Sequence, residues 1–298
     1  MKTEATKTEF WITLLIRVSG YSSILFVALI LYFLLREGLP ALGDVSFFSL
    51  FGARWYPIEE HFGILPLLTG SLLVTVSATL IALPFGVGTA VFLSELSPHW
   101  LKSILKPVIE VMAGLPSVVL GFLGIQIAIP FFRRFLDLPT GLTGFTGAVL
   151  LGFISIPTIV SIAEDALNSV PVTYRHGSLA LGATRWQTIW GVTVPAARSG
   201  ILTAVMLGVG RAIGETMAVM MVTGNAPVLP TRLNALFLPL RTMTATIASE
   251  MGEVATGAPH YHVLFFIGII LFVLSLMVNI AASSIALRSR TRAELLLS

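Results

Sequence analysis

Long apolar runs, separated by short polar segments, dominate this sequence of 298 residues. A helix that crosses the hydrocarbon core of a bilayer needs about 20 consecutive, mostly apolar residues. Six runs reach that length, and we predict a membrane-spanning helix in each of them: 11–35, 64–93, 108–131, 145–163, 197–222 and 262–287. The segments between these runs leave little room for a soluble domain. The pattern therefore predicts an all-α integral membrane protein with six spans.

The composition agrees with a membrane protein, and the charges predict its orientation. Hydrophobic residues make up 55% of the chain and charged residues 11%, whereas soluble domains contain about 25% charged residues. With six spans, Lys and Arg are more frequent on the face that holds both termini and the segments after spans two and four. Cytoplasmic segments carry the excess of Lys and Arg, so both termini are predicted to be cytoplasmic. The net charge of +3 follows from this topology and does not indicate nucleic-acid binding.

The first apolar run is predicted to be an anchor that stays in the mature protein. A signal peptide has an apolar core of about 7–15 residues and a cleavage site of small residues. The run at 11–35 is longer, and no such site follows it. We divide the chain into three parts: an N-terminal tail, first span and external loop (1–63), a transmembrane unit (64–287) and a cytoplasmic tail (288–298).

Prolines and glycines in the spans predict an irregular and closely packed bundle. Pro84, Pro116 and Pro157 are expected to interrupt spans two, three and four, because proline leaves a carbonyl that needs another partner. Small residues such as Gly86 and Gly208 allow membrane helices to approach closely. The chain has no cysteine, so no disulfide contributes to its stability.

The cytoplasmic segment between spans four and five is predicted to contain two short helices. In "TRWQ", Thr184 precedes Gln187 by three residues, which is the capping-box spacing that starts a helix. Upstream, "RHGSLAL" favours another helix. Gly182 stands between the two helices, where a turn or a close backbone approach needs glycine. Trp186 and Trp190 suit either the membrane interface or the groove of a partner protein.

Span five contains the two charges that stand out in the sequence. "LGVGRAIGETMAV" at 207–219 places Arg211 and Glu215 near the middle of a run of apolar and small residues. Residues four apart share one face of a helix, so both side chains are expected to point the same way. Charges inside a membrane usually mark a transport path; the alternative is a mutual salt bridge that fixes helix packing. Glu110, in span three, is interpreted as a packing or snorkelling residue.

The sequence gives no sign of catalysis or of its own energy source. A P-loop requires Gly directly before Lys, and none of the four lysines follows a glycine. The motifs HExxH and GxSxG are also absent from the sequence. "PHYH" brings His260 and His262 close together at an outer junction, where metal binding is not favoured. We therefore predict a non-catalytic subunit without cofactor or metal.

The cytoplasmic segment resembles the coupling motif of ABC-importer permeases. That motif reads Glu-Ala-Ala, three residues, Gly, nine residues and Ile-x-Leu-Pro. In "HGSLALGATRWQTIWGVTVP", Gly182 stands at the glycine and Pro195 at the proline, with matching spacing. The sequence departs from the motif at 176–178, where "HGS" replaces Glu-Ala-Ala. The resemblance implies a coupling helix between spans four and five that contacts an ATPase subunit through five residues: Ser178, Ala180, Gly182, Ala183 and Pro195.

Further motifs narrow the resemblance to the permease subunits of the phosphate (Pst) importer. They are "AGLPSVVLGF", "SIPTIVSIAEDAL", "GRAIGETMAV" and "IASEMGE", and "WYPIEEHFGILPLLTGSLLVT" is similar to the PstC-type subunit. The similarity runs from about Arg54 to Leu287. It implies a six-span ABC-importer permease bundle in the lipid of the inner membrane, with Arg211 and Glu215 on the phosphate path.

The resemblance also implies partners. They are a second, PstA-like permease, two cytoplasmic ATPase subunits and an external phosphate-binding protein. The loop from about Gly224 to Tyr261 is expected to help receive the binding protein, and "TATIASEMGE" within it is expected to be helical. Two alternatives stay open: a permease for another oxyanion, such as sulfate or molybdate, and a gradient-driven secondary transporter or channel.

Overall fold

The computed structural model of the protein describes residues 7–295, so the chain before Lys7 and the last three residues of the predicted cytoplasmic tail lie outside the described residues. The described part contains fourteen α-helices: α1 (Lys7–Gly38), α2 (Ala41–Asp44), α3 (Phe47–Leu50), α4 (Leu65–Val91), α5 (His99–Ala113), α6 (Ser117–Leu123), α7 (Ile129–Phe135), α8 (Gly144–Asn168), α9 (Val172–Ala180), α10 (Arg185–Thr188), α11 (Val194–Gly214), α12 (Met217–Val222), α13 (Met243–Glu250) and α14 (Pro259–Leu295).

Shorter elements complete the chain. An antiparallel hairpin pairs β1 (Trp55–Tyr56) with β2 (His61–Phe62), so that Trp55 lies opposite Phe62. Single turns of 3₁₀ helix cover Pro57–Glu59 and Leu233–Phe237. Three π-helical turns, at Phe92–Leu96, Gly124–Ala128 and Ile189–Thr193, continue or join neighbouring α-helices.

Within residues 7–295, six helical stretches are long and apolar enough to cross a membrane, as the sequence predicts. They are Phe10–Asp44, Leu65–Leu96, Ser117–Phe135, Gly144–Asn168, Arg185–Gly214 and Pro259–Ser284. Four predicted boundaries differ from these by about eight residues or more: the end of span one, the start of span three and both ends of span five. Span three begins at Ser117 and not at 108, because α5 is a separate helix. Span five ends at Gly214 and not at 222, because the backbone leaves the helix there.

The prolines divide into two kinds. Pro84 and Pro157 lie inside the unbroken helices α4 and α8, so the prediction that they interrupt spans two and four is wrong. Neighbouring helices pack closely enough around α4 and α8 to hold them together despite the lost hydrogen bonds. Pro116 does end a helix: α5 stops at Ala113, and Pro116 caps the start of α6. A residue before proline avoids the helical conformation, which accounts for the break at Leu115.

α8 is the centre of the bundle and packs against α4, α11 and α5. Its Ile159 side chain fills a notch between Gly86 on α4 and Gly208 on α11; a Cβ at either glycine would collide with Ile159. Small residues therefore set the closeness of these three spans, as expected for membrane helices. α1, in contrast, packs against the bundle through α14.

α5 is amphipathic and lies between spans two and three. Trp100, Ile104 and Val108, four residues apart, are exposed along one side. Lys102 and Lys106, also four apart, point to α8. Glu110 lies on this helix and is exposed, so it is not a packing residue of span three; its interpretation as a snorkelling residue stays a prediction.

Candidate substrate path and coupling segment

The helix of span five ends between Arg211 and Glu215, the two charged residues that stand out in the sequence. α11 ends at Gly214, the backbone of Glu215 is extended (φ −69°, ψ 126°), and α12 begins at Met217. Arg211 and Glu215 therefore do not share a face of one helix, and that prediction is wrong. Among the described residues they also form no ion pair, which removes the alternative of a mutual salt bridge.

The reason for the break lies in the Glu215 side chain. Its Oε1 accepts hydrogen bonds from the backbone N–H groups of Thr216 at 3.1 Å and Ala218 at 3.3 Å. These are N–H groups that the start of α12 leaves without helical partners. Glu215 thus caps the start of α12, and its negative charge suits the start of a helix.

Arg211 points instead to two neutral oxygens. Its Nη1 donates to Thr158 Oγ1 on α8 at 2.8 Å, and its Nη2 donates to the carbonyl of Ala113, the last residue of α5, at 3.1 Å. In the described part of the chain no carboxylate lies within ion-pair distance of this guanidinium. A half-buried positive charge inside a span therefore keeps its charge available to an anion.

Hydroxyl groups surround the break at Glu215. A small cavity of about 10 Å³ is lined by residues of α4, α8, α11 and α12 and of the start of α13: Ser71, Val74, Thr75, Leu151, Ala212, Ile213, Glu215, Val219, Thr242 and Thr244. Thr244 Oγ1 donates to the Glu215 carbonyl at 3.1 Å, and Ser71 Oγ accepts from the Met243 N–H at 2.8 Å. The cavity has room for about one water. A cavity of this volume is too small for an oxyanion.

The coupling segment forms two helices joined by a tight turn, as predicted. Gly182 takes a left-handed conformation (φ +85°), and its N–H donates to the Leu179 carbonyl at 3.0 Å. The Ala183 N–H donates to the Ser178 carbonyl at 3.2 Å. Thr184 and Gln187 form the predicted capping box at the start of α10.

Four of the five predicted coupling residues gather at this turn. Ser178 and Ala180 end α9, and Gly182 and Ala183 form the turn, whereas Pro195 lies in the first turn of α11. The turn presents large apolar groups: the Leu181 side chain is 91% exposed and Trp186 is 60% exposed. An exposed apolar surface of this kind marks a contact with a protein or with the membrane interface.

Comparison with known proteins decides the family. Residues 82–291 match the model of the binding-protein-dependent transport system inner membrane component family. The chain belongs to this family. It is 43% identical over 226 residues to the probable ABC transporter permease protein YqgH of Bacillus subtilis, with 75% of this chain and 72% of that protein covered. It is 35% identical over 245 residues to the phosphate transport system permease protein PstC of Haemophilus influenzae, with 76% of each chain covered. The resemblance to ABC-importer permeases of the PstC type is confirmed.

Solved structures support the fold. Against an inward-facing conformation of the MetNI methionine ABC transporter, 79% of this chain and 99% of that chain superpose with a TM-score of 0.58 at 18% identity. At this identity the similarity concerns the fold alone. The predicted fold class, an all-α six-span ABC permease bundle, is confirmed.

At the predicted outer end of the permease, one carboxylate ties the loops together. Glu250 forms an ion pair with Arg241 Nη2 at 2.7 Å, accepts a hydrogen bond from Trp55 Nε1 at 3.2 Å, and pairs with His260 Nε2 at 2.8 Å. Burial raises the pKa of Glu250, but the hydrogen bond to His260 and the charge of Arg241 outweigh it, so the pKa lies below its usual value of 4.5. Glu250 ends α13, which confirms the helix predicted in "TATIASEMGE".

The two histidines of "PHYH" have separate partners. His260 meets Glu250, and His262 Nδ1 lies 2.6 Å from Asp44 Oδ2. Across the described ranges, no group of three His, Asp or Glu side chains lies close enough to hold a metal ion. His260 thus joins the start of α14 to the end of α13, and His262 joins it to α2.

Sequence reasoning missed the hydroxyls around Glu215. Ser71 and Thr75 stand four residues apart in span two. Such a spacing puts two hydroxyls on one helix face and was the available signal. Thr242 and Thr244 lie at the start of α13, and the Thr244–Glu215 contact joins residues 29 positions apart. The spacing of residues in the sequence does not predict a contact over that distance.

Proposed function

We propose that this chain is the PstC-type permease subunit of an ATP-driven phosphate importer. Its relatives in Haemophilus influenzae and Mesorhizobium japonicum, 35% and 34% identical, carry the name phosphate transport system permease protein PstC. The chain transports phosphate along a path that passes Arg211 and Glu215, without catalysing a reaction itself.

The contacts of Arg211 are the observation that supports an oxyanion as the substrate. Its planar guanidinium can donate two hydrogen bonds to one oxyanion. Both present acceptors, the Thr158 hydroxyl and the Ala113 carbonyl, are neutral. A phosphate oxygen is a stronger acceptor for a guanidinium than either of them. Phosphate therefore exchanges with these two contacts as it passes.

The partners follow from the family and from the exposed turn at Gly182. A second, PstA-like permease completes the path, and an external phosphate-binding protein delivers the substrate between Gly224 and Tyr261. Two cytoplasmic ATPase subunits supply the energy, and one of them receives Leu181 and Trp186. None of the four lysines of the chain follows a glycine, which agrees with ATP hydrolysis in separate subunits.

The exposed turn also bears on orientation and on the domain division. An ATPase is cytoplasmic, so α9 and α10 face the cytoplasm, and with six spans both termini do too. The transmembrane unit is 64–287, the chain before it adds a first span and an external loop, and 288–298 is a cytoplasmic tail.

Uptake into vesicles that contain the reconstituted complex tests the proposal. The Arg211→Gln variant should lower phosphate uptake by about tenfold or more, because a hydrogen bond to a charged group contributes about 1.5–3 kcal/mol. Arg198→Gln is the control, since Arg198 lies at the other end of α11 and is exposed. Glu215→Gln should keep most of the uptake, because its amide oxygen still accepts from α12. Normal uptake by Arg211→Gln would contradict the proposed path.

The same vesicles separate the two alternatives. Sulfate or molybdate that is taken up in place of phosphate would indicate another oxyanion permease. Uptake that follows an imposed ion gradient without ATP would indicate a secondary transporter. Phosphate uptake that requires ATP, the binding protein and the ATPase subunits is the expected result.

A further inference from the structure

Glu164 is a buried carboxylate that the proposed path does not use. It lies in the last turns of α8 and its side chain is 1% exposed. Lys102 Nζ lies 2.7 Å from Oε1 and Lys106 Nζ lies 2.8 Å from Oε2. Both lysines belong to α5. Asn168 Nδ2 donates to Glu164 Oε1 at 2.9 Å, so the carboxylate joins α5 firmly to the end of α8.

The contacts continue from Glu164 towards the coupling segment. Ser94 Oγ, in the π-helical turn after α4, donates to Asn168 Oδ1 at 3.0 Å. The next residue, Glu95, accepts from Arg175 Nη2 at 2.7 Å. Arg175 lies on α9, and its guanidinium also donates to two backbone carbonyls at the end of α8. A polar chain thus runs from α9 through the ends of α4 and α8 to α5.

In the other direction α5 reaches the substrate path. From Lys102 to Ala113 the helix extends about 17 Å, at about 1.5 Å per residue. Its last carbonyl, on Ala113, accepts from Arg211. One end of α5 is therefore fixed to Glu164, and the other end touches the guanidinium on which the proposed function depends.

We propose that Glu164 is a positioning residue that makes α5 move with the coupling segment, so that displacement of α9 by an ATPase shifts the Ala113 carbonyl relative to Arg211. This inference rests on the proposed function, in which Arg211 meets the substrate. An anion that takes over the guanidinium weakens the contact to Ala113. Coupling between two sites acts in both directions, so an occupied Arg211 also changes the position of α9.

The alternative is a clamp that only stabilises the bundle. A buried ion pair is weak evidence for stability, since apolar residues of similar size often serve as well. Glu164 also differs from its neighbour Asp165, which is 68% exposed and meets Lys106 at 3.4 Å. Asp165 is therefore the matched control: it has the same charge, the adjacent position and a longer contact to Lys106, but among the described residues it contacts neither Lys102 nor Asn168.

The experiment compares ATP hydrolysis and phosphate uptake in the reconstituted complex. For Glu164→Gln, stimulation of hydrolysis by the phosphate-loaded binding protein should fall by at least about fivefold, within the range that mutations along coupled networks produce. Uptake should fall in parallel, while basal hydrolysis stays at the wild-type level. Asp165→Asn should behave as wild type. Glu164→Asp keeps the charge and should restore part of the stimulation.

A distance measurement separates positioning from plain stability. The chain has no cysteine, so spin labels attach in this subunit only at introduced cysteines. A label pair at Ser103 and Ser283 reports α5 relative to α14, and a pair at Gln187 and Ser283 reports the coupling segment. With ATP trapped, both distances should change in wild type. In Glu164→Gln only the Gln187 distance should change.

Several outcomes overturn the inference. Wild-type stimulation in Glu164→Gln, or a Ser103 label that still moves, contradicts it. If Glu164→Gln does not assemble, Ser94→Ala interrupts the same polar chain beside Asn168. This variant should lower the stimulation of ATP hydrolysis by about twofold or more. Unchanged stimulation in Ser94→Ala contradicts the inference. A wild-type complex that does not transport phosphate contradicts the proposed function instead, whatever the Glu164 variants do.

Discussion

Two glycines in the coupling segment should respond in opposite ways to the same added methyl group. Gly182 has φ +85°, and a Cβ at this position would meet nothing within 4 Å. Alanine there adds only left-handed strain, of about 1 kcal/mol. Gly177 lies inside α9 and is equally open. Alanine there stabilises the helix by about 1 kcal/mol, because glycine is a poor helix former.

The two effects separate the variants by about 2 kcal/mol, which corresponds to about 30-fold in the equilibrium for opening the turn. The amides that report this opening donate within the segment: Leu181 N–H to the Gly177 carbonyl at 3.2 Å, and Gly182 N–H to the Leu179 carbonyl at 3.0 Å. In hydrogen exchange on the purified permease, Gly177→Ala should slow these amides and Gly182→Ala should accelerate them. Exchange that shifts in the same direction in both variants would refute the argument.

The same positions should differ in transport. Gly177→Ala leaves the exposed turn as it is, so uptake should stay near wild type. Gly182→Asp should abolish uptake while the chain still reaches the membrane, because Asp tolerates the left-handed conformation and its charge then faces the ATPase groove. Cross-linking of Ser178 or Ala180 to an ATPase subunit checks the contact itself, and its complete absence in an active complex would contradict the coupling assignment.

Two further predictions concern the loops. The pKa of Glu250 is lowered in the folded protein, so its stabilisation is present above pH 4.5 and is lost as the pH falls through the lower folded value. Thermal unfolding at pH 7 should show that Glu250→Gln lowers the free energy of unfolding by about 1–3 kcal/mol, between the values for a surface and a buried ion pair. The stability of the variant should also depend less on pH in the acid range than that of wild type. Equal stability of the two proteins at every pH would contradict this prediction. A cytoplasmic reporter fused after Lys106 should be active, and one fused after Asp137 or Glu253 should be inactive. The reverse pattern would overturn the orientation.

Much of the fold could be predicted because membrane spans depend on local composition. Six apolar runs gave six spans, and the capping box at Thr184 was correct because both of its hydrogen bonds lie within four residues. The break at Pro116 was also a local signal. Pro84 and Pro157 gave the same local signal, but α4 and α8 are unbroken at these residues. Packing against other helices holds them together, and the local sequence does not predict that packing.

The site was predicted only in part, because its contacts are distant in sequence. Arg211 was singled out correctly as a charge inside a span. The spacing of four assumed an unbroken helix, whereas Glu215 lies one residue past the end of that span. Glu215 left the helix because its own carboxylate caps α12. The partner of Arg211 lies 98 residues earlier, at Ala113. No periodicity predicts that contact, which arises from the way α5 packs on α8.

The place of α1 in the bundle has a consequence for the order of synthesis. Its contact with the rest of the protein is with the last helix, where Phe33 meets Phe265 at 5.5 Å between ring centres. At about 5–20 residues per second, the roughly 220 residues between Gly38 and Pro259 take about 10–40 s to synthesise. Throughout that time α1 lies in lipid, because α14, the helix that it packs against in the finished protein, has not yet been made. It must therefore be soluble in lipid on every side when it leaves the ribosome, and its exposed Trp11 and Phe26 meet that need. The central spans find partners early and can carry Glu164 and Arg211.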